Sequence, residues 1–173
     1  MERTVAAEEV RLRAFRRDDL PRLIVWRDDA EIRRTALWGR ARFGPKEAER
    51  WLRSLGVDRS RVTLAIELRG SARLVGLTVL NRVDPHSRTA YFGIVVGEKD
   101  CWGRGIARQA LGLMLRRAAT MRLRKVLLEV AADNPRAMRL YRRAGFHVEG
   151  VLRAQLARPE GFVDLIIMAI FLD

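Results

Sequence analysis

Tyr91-Phe-Gly-Ile-Val-Val96, then Trp102-Gly-Arg-Gly-Ile-Ala107, then an amphipathic stretch from Ile106 to Ala118 read in order as strand, glycine turn and helix. Glycines at 103 and 105 remove the side chains that would keep a ligand off the backbone, so several N–H groups can converge on one anion where the helix begins. The competing reading is a glycine turn that only allows close packing. Two known phosphate loops do not fit. A nucleoside-triphosphate loop ends in Gly-Lys-Ser/Thr, and Ile106-Ala107-Arg108 supplies neither the lysine nor the hydroxyl. A dinucleotide fingerprint needs three spaced glycines, and two are present.

A second constellation lies about thirty residues on: Asn134-Pro-Arg-Ala-Met-Arg-Leu-Tyr-Arg-Arg-Ala-Gly-Phe146. Asn134 can cap a helix and Pro135 suits its first position, where a missing N–H costs nothing. Ala137, Leu140, Tyr141 and Ala144 share one face. Gly145 ends the helix and Phe146 opens a strand.

Together the two segments resemble the acyl-CoA-binding and acceptor-side motifs of the GNAT superfamily of N-acyltransferases. The likeness is to the Rim-like branch, which includes ribosomal-protein N-terminal acetyltransferases and related antibiotic, amino-acid and polyamine acetyltransferases. It is close from Arg88 to Asp164 and holds in outline elsewhere. The resemblance implies a mostly antiparallel sheet whose fourth and fifth strands, here the Tyr91 and Lys125 segments, splay apart to admit the pantetheine arm of acetyl-CoA. Backbone groups near Val95 and Val96 would bond that arm, and an N–H near Val95 would be the oxyanion donor. The pyrophosphate would sit on the amides of Gly103, Arg104, Gly105, Ile106 and Ala107, with Trp102 packing beside them. Arg104 reads equally as a charge-assisted contact and as a solvated surface residue. No metal is implied.

Acyl transfer from a thioester to an amine needs a neutral amine aimed at the carbonyl, donors for the developing oxyanion and a proton for the leaving thiolate. Tyr141 matches the family's tyrosine near the CoA sulfur, and the same residue reads as a core aromatic. Asn134 caps its helix and is a candidate contact to CoA or an ordered water. Many relatives carry a glutamate where this chain has Tyr91, a poor base at its ordinary pKa. Glu98 and Glu129 are the other candidate bases, each also readable as an arginine partner. An amine of low pKa, such as an α-amino group, needs no dedicated base, which favours a peptide N-terminus over a lysine side chain.

Composition bounds the rest. The 173 residues suffice for a single domain, 1–173, and 49% are apolar. No leader or membrane-length apolar run is evident, and one cysteine, Cys101, excludes an internal disulfide framework; a cytoplasmic location is expected. The net charge of +13 comes mostly from arginines dispersed among acidic residues, a pattern that does not point to direct nucleic-acid binding. Such a field attracts polyanionic CoA, or a protein substrate on an RNA-rich particle. It weakly repels free polyamines unless an acidic pocket intervenes. His86 and His147 are isolated, without metal-ligand spacing.

The periodicities predict strands at Val10–Phe15, Arg61–Leu68, Ala72–Asn81, Arg88–Val96, Lys125–Ala131, Phe146–Arg153 and Phe162–Phe171. They predict helices at Asp18–Arg27, Pro45–Leu55, Ile106–Ala119 and after Asn134. The result is a mixed α/β sheet with helices on both faces. The acceptor pocket would draw on Asp28, Asp29, Glu31 and Trp38, the acids reading equally as a solvated helix terminus. The expected function is direct acetyl transfer from acetyl-CoA to a primary amine, foremost a protein N-terminus of the ribosomal type. Small amines come next, and a noncatalytic acyl-CoA-binding or RNA-associated module is the contrasting possibility. A homodimer is left open.

Overall fold

Alternating apolar residues in the strands and single apolar stripes on the helices put hydrophobic side chains on both faces of one sheet. The computed structural model describes residues 9–38 and 41–172; the expected unit 1–173 also takes in residues 1–8, 39–40 and 173, which lie outside the described residues. The strands are β1 (Val10–Arg13), β2 (Val62–Leu68), β3 (Leu74–Asp84), β4 (Thr89–Val96), β5 (Lys125–Ala131), β6 (His147–Arg158) and β7 (Gly161–Phe171), in spatial order β1-β2-β3-β4-β5-β7-β6. Every neighbouring pair is antiparallel except β4 with β5.

The helices are α1 (Leu20–Asp28), α2 (Ala30–Ala36), α3 (Pro45–Ser54), α4 (Ile106–Thr120) and α5 (Pro135–Arg143). Leu23, Trp26 and Ile32 from α1 and α2 pack with Ala65, Leu77 and Val95 of the sheet. On the other face Leu111, Met114 and Ala118 of α4 and Tyr141 of α5 pack with Leu80, Phe92, Val126 and Leu128. Each such aliphatic side chain removed from water contributes about 1.5–3 kcal/mol.

The sequence patterning does not predict α2. Asp29 ends one helix and caps the next, accepting from the amides of Glu31 and Ile32 at 3.0 Å each. Only Ile32 of α2 is buried, so the helix carries no apolar stripe. Arg34 instead ties it to Asp133 at 3.2 Å and to Glu160 at 3.3 Å. Two strands also run longer than expected, β3 to Asp84 and β6 to Arg158.

The feature that positions the site is where β4 and β5 stop pairing. They are joined only from Thr89 opposite Lys125 to Phe92 opposite Leu128. Beyond that point β4 continues with β3 as far as Val96 opposite Gly76, and β5 continues with β7 as far as Ala131 opposite Leu165. The sheet is therefore continuous at one end and divided at the other, the expected splay.

Candidate active site

The backbone phase of β4 decides which groups face the opening. The amide of Gly97 donates to the Val75 carbonyl at 2.9 Å. In an antiparallel pair bonded and non-bonded positions alternate, and the register runs unbroken from Gly97 back to Tyr91. Val95 therefore bonds with Leu77, while Ile94 and Val96 turn their backbone groups towards the gap. The Val95 amide, expected near the oxyanion, thus belongs to the sheet although the residue lines the groove, and the gap-facing backbone groups beside it are those of Val96 and of Ile94, which sequence reasoning missed. Side-chain pattern alone could not reveal it, because the phase follows from the register.

The gap is part of a groove of about 1320 Å³ that continues past Trp102 to the start of α4. Gly103 and Gly105 adopt φ of +83° and +80°, in the left-handed region, and together turn the chain into α4. Within the described residues no acceptor meets the amides of Gly103, Gly105, Ile106 or Ala107. Arg104 differs from expectation, its amide closing a turn onto the Cys101 carbonyl at 3.4 Å. An anion at these open amides gains about 0.3–1 kcal/mol from the helix dipole, up to about 2 when partly buried. Arg108, Arg136, Arg139 and Arg143 also line the groove and suit a polyphosphate. The Trp102 indole donates to the Val96 carbonyl at 2.8 Å, bracing the turn against the strand and leaving the Val96 N–H to face the opening.

Tyr141 is 7% exposed and packs edge-on against Phe92, ring centroids 6.3 Å apart. Its hydroxyl makes no hydrogen bond within the described chain, yet it is not among fully enclosed polar atoms, so it opens onto the groove. Burial pushes this phenol above its ordinary pKa and keeps it protonated. Asn134 Oδ1 accepts from the Ala137 amide at 3.1 Å, capping α5, and the residue lines the groove.

The candidate bases divide. Glu98 lies outside the groove lining and is held by Arg22, by Arg73 and, at 2.9 Å, by the Trp26 indole. Burial alone would raise its pKa, but these donors outweigh that and hold the carboxyl below the ordinary range. Glu98 is thus a structural ion-pair centre, contrary to its expected candidacy. Glu129 and Tyr91 do line the groove, and Arg82 engages both, 3.2 Å from the Glu129 carboxylate and 4.7 Å above the Tyr91 ring. The irregular register between Asn81 and Asp84 is where Arg82 sits, at φ 48°.

On the acceptor side Trp38 and Glu31 line the groove; Asp28 and Asp29 do not. Asp28 is exposed, and Asp29 is held by its capping role and by Lys99 at 2.8 Å. Lys99 also pairs with Glu31 at 2.8 Å. Arg27, to which sequence reasoning gives no role of its own, stacks on Trp38 and Phe43 with its guanidinium carbon 4.9 and 4.6 Å from the ring centroids. The aromatic residues at 38, 43 and 51 were the available signal. No three His, Cys, Asp or Glu residues form a metal-binding group among the described residues, and no helix there is long and apolar enough to cross a membrane.

The acetyltransferase (GNAT) domain family matches residues 9–147. The ribosomal-protein-serine acetyltransferase of Escherichia coli (strain K12) is 30% identical over 101 residues, 58% of this chain and 56% of that protein. The spermidine N(1)-acetyltransferase of Vibrio cholerae serotype O1 is 36% identical over 80 residues, 46% of each chain. The alignment thus spans about half the length of the curated relatives. Similarity to solved structures is more extensive. The crystal structure of spermidine N-acetyltransferase from Vibrio cholerae in complex with CoA and spermine superimposes with a TM-score of 0.87 at 26% identity, covering 94% of this chain and 95% of that one. A dodecameric structure of the Vibrio cholerae enzyme in an intermediate state gives 0.79 at 26% identity over 94% of each. With the family's domain covering most of its length and the divided sheet, open amides and α5 tyrosine in one groove, the chain belongs to the GNAT acetyltransferase family.

Proposed function

We propose that the protein transfers an acetyl group from acetyl-CoA directly to a primary amine, with a protein or peptide N-terminal α-amine as the leading acceptor class. The observation that carries the reading is a single groove that joins the open amides at the start of α4, the gap-facing backbone of Ile94 and Val96, and the Tyr141 hydroxyl. Acetyl-CoA, when bound, supplies an activated acyl carbonyl and a thiolate leaving group. The amides of residues 103 and 105–107 fit its pyrophosphate, Ile94 and Val96 fit its pantetheine amides, and Tyr141 holds a proton for the sulfur. One gap-facing amide of β4 stabilises the charge that develops on the carbonyl oxygen.

The acceptor class is supported by what the groove offers as a base. Of its two carboxylates, Glu31 is paired with Lys99 and Glu129 with Arg82. An α-amine, with a pKa of about 7.7–8.0, is substantially neutral near physiological pH, whereas an alkylamine resembling a lysine side chain near 10.4 is not. A ribosomal protein is the partner that the Escherichia coli relative suggests. A polyamine acceptor is the second reading, favoured by the similarity to spermidine acetyltransferases along almost the whole chain.

CoA release from acetyl-CoA is the test, run with N-terminal peptides, amino acids, aminoglycosides and polyamines beside calorimetric binding of acetyl-CoA. Saturable binding with turnover of α-amines is the expected result. Absence of both binding and turnover would overturn the proposal, and turnover confined to polyamines would replace its acceptor class with the second reading.

A further inference from the structure

The acceptor half of the groove carries a cation that no carboxylate among the described residues binds directly. Arg27 lies on α1 and is half-buried against Trp38 and Phe43. Among the described residues it makes no hydrogen bond or ion pair. None of the neighbouring acids bonds to it: Asp28 is exposed and acts on it only through space, Asp29 and Glu31 bind Lys99, and Glu129 binds Arg82. Loss of solvent, with the nearby positive charge of Arg33, outweighs the opposing charge of Asp28 and lowers the Arg27 pKa.

A guanidinium whose faces lie against aromatic rings keeps its N–H edge for a planar, two-oxygen partner. That edge lies in the same groove as the β4 opening, and Trp38 and Phe43 pack on the cluster that contains Val95. Arg61 and Arg82 also line the groove, so the charged side chains there beyond the ion-paired Glu31 and Glu129 are basic. A polycation finds no open carboxylate in this arrangement.

We propose that the acceptor amine carries a carboxylate in the same molecule and that Arg27 binds it, which makes Arg27 a specificity-determining residue. The inference rests on the acetyltransferase reading and narrows it. The carboxylate has two chemical sources: the α-carboxylate of a free amino acid, or the acidic side chain of a residue near a peptide N-terminus. In either case the anion supplies a directly bonded counter-charge, while the rings shield the pair from water.

The experiment compares kcat/KM at saturating acetyl-CoA for matched acceptors: phenylalanine against phenylalaninamide, a Ser-Asp peptide against Ser-Asn, and spermidine. The wild type is expected to prefer the carboxylate member of one pair by about 10- to 100-fold, the range for a hydrogen-bonded charged partner. The pair that shows the preference identifies the source. Arg27→Met is expected to abolish that ratio, chiefly through KM, and Arg27→Lys to restore part of it. Circular dichroism and acetyl-CoA affinity, measured on each variant, report whether the fold and the cosubstrate site persist. An unchanged ratio in a folded Arg27→Met protein overturns the inference, as does a preference of the wild type for spermidine over every carboxylated acceptor. If acetyl-CoA binds but no carboxylated amine is acetylated, this inference fails while the cosubstrate reading stands. If acetyl-CoA does not bind and nothing is acetylated, both fail.

Discussion

Tyr141 is anchored by its ring and presents its hydroxyl to the groove, and that division of labour makes Tyr141→Phe a clean probe. The substitution keeps the contacts with Phe92 and Phe146 while removing the proton. We expect kcat to fall about 10²- to 10⁴-fold, the usual range for a lost general acid, with acetyl-CoA affinity retained; stopped-flow and calorimetry would measure the two. Because burial moves the phenol upward, it is protonated throughout the neutral and mildly alkaline range. For a peptide acceptor kcat/KM should therefore rise through about pH 8 as the α-amine loses its proton, then stay level to about pH 10. A decline beginning near pH 8 would argue against Tyr141 as the acid. At this scale the sequence is legible where a motif fixes local geometry, as in the Asn134 cap and the left-handed turn at Gly103 and Gly105. It is not legible where a role depends on distant partners. Glu98 reads as a candidate base until Arg22, Arg73 and Trp26 surround it, and nothing local in the sequence marks Arg27 as the arginine that two rings meet.

Elements reveal a related boundary. The strand, turn and helix from Tyr91 to Thr120 are readable because periodicity and glycine placement agree. Helix α2 is not, since beyond the local Asp29 cap it has no apolar stripe and is held by ion pairs to the distant Asp133 and Glu160. Strand β6 runs past its expected end at Arg153; most of its length is exposed and lacks the in-out alternation that marks a strand. Two substitutions test how elements hold the groove. Asn134→Ala removes the α5 cap and should cost about 0.5–2 kcal/mol in a urea melt, with kcat falling as the helix bearing Tyr141 loosens. Gly97→Ala should be worse tolerated, at about 1–3 kcal/mol, because a Cβ there would overlap the Trp26 indole against which the end of β4 is packed. A melt unchanged by Gly97→Ala would mean that α1 can shift away from β4.

Across the whole molecule, buried carboxylates clamp the first strands and helices together. Glu67 takes Arg11 and Arg13, Arg13 also reaches Asp19 at 2.7 Å, and Glu98 joins α1 to the β2–β3 connection through Arg22 and Arg73. In all three carboxyls burial opposes ionisation, but the arginine partners prevail, and the folded pKa lies below the ordinary one. The unfolded chain therefore takes up protons first. Stability from these groups is full above about pH 4.3 and is lost as pH falls through the folded values. Urea melts at pH 7, 5, 4 and 3 should show that loss, and Glu98→Gln should be less stable at pH 7 yet lose less on acidification. Equal losses in both proteins would remove Glu98 from the account. The four residue pairs that join β4 to β5 leave the sheet as two halves hinged at one end. Deuterium uptake at the Ile94 and Val96 amides should accordingly slow when acetyl-CoA is added, while Val95, already bonded to Leu77, should change little; the bound cosubstrate would then be the splice that lets the two halves breathe as one.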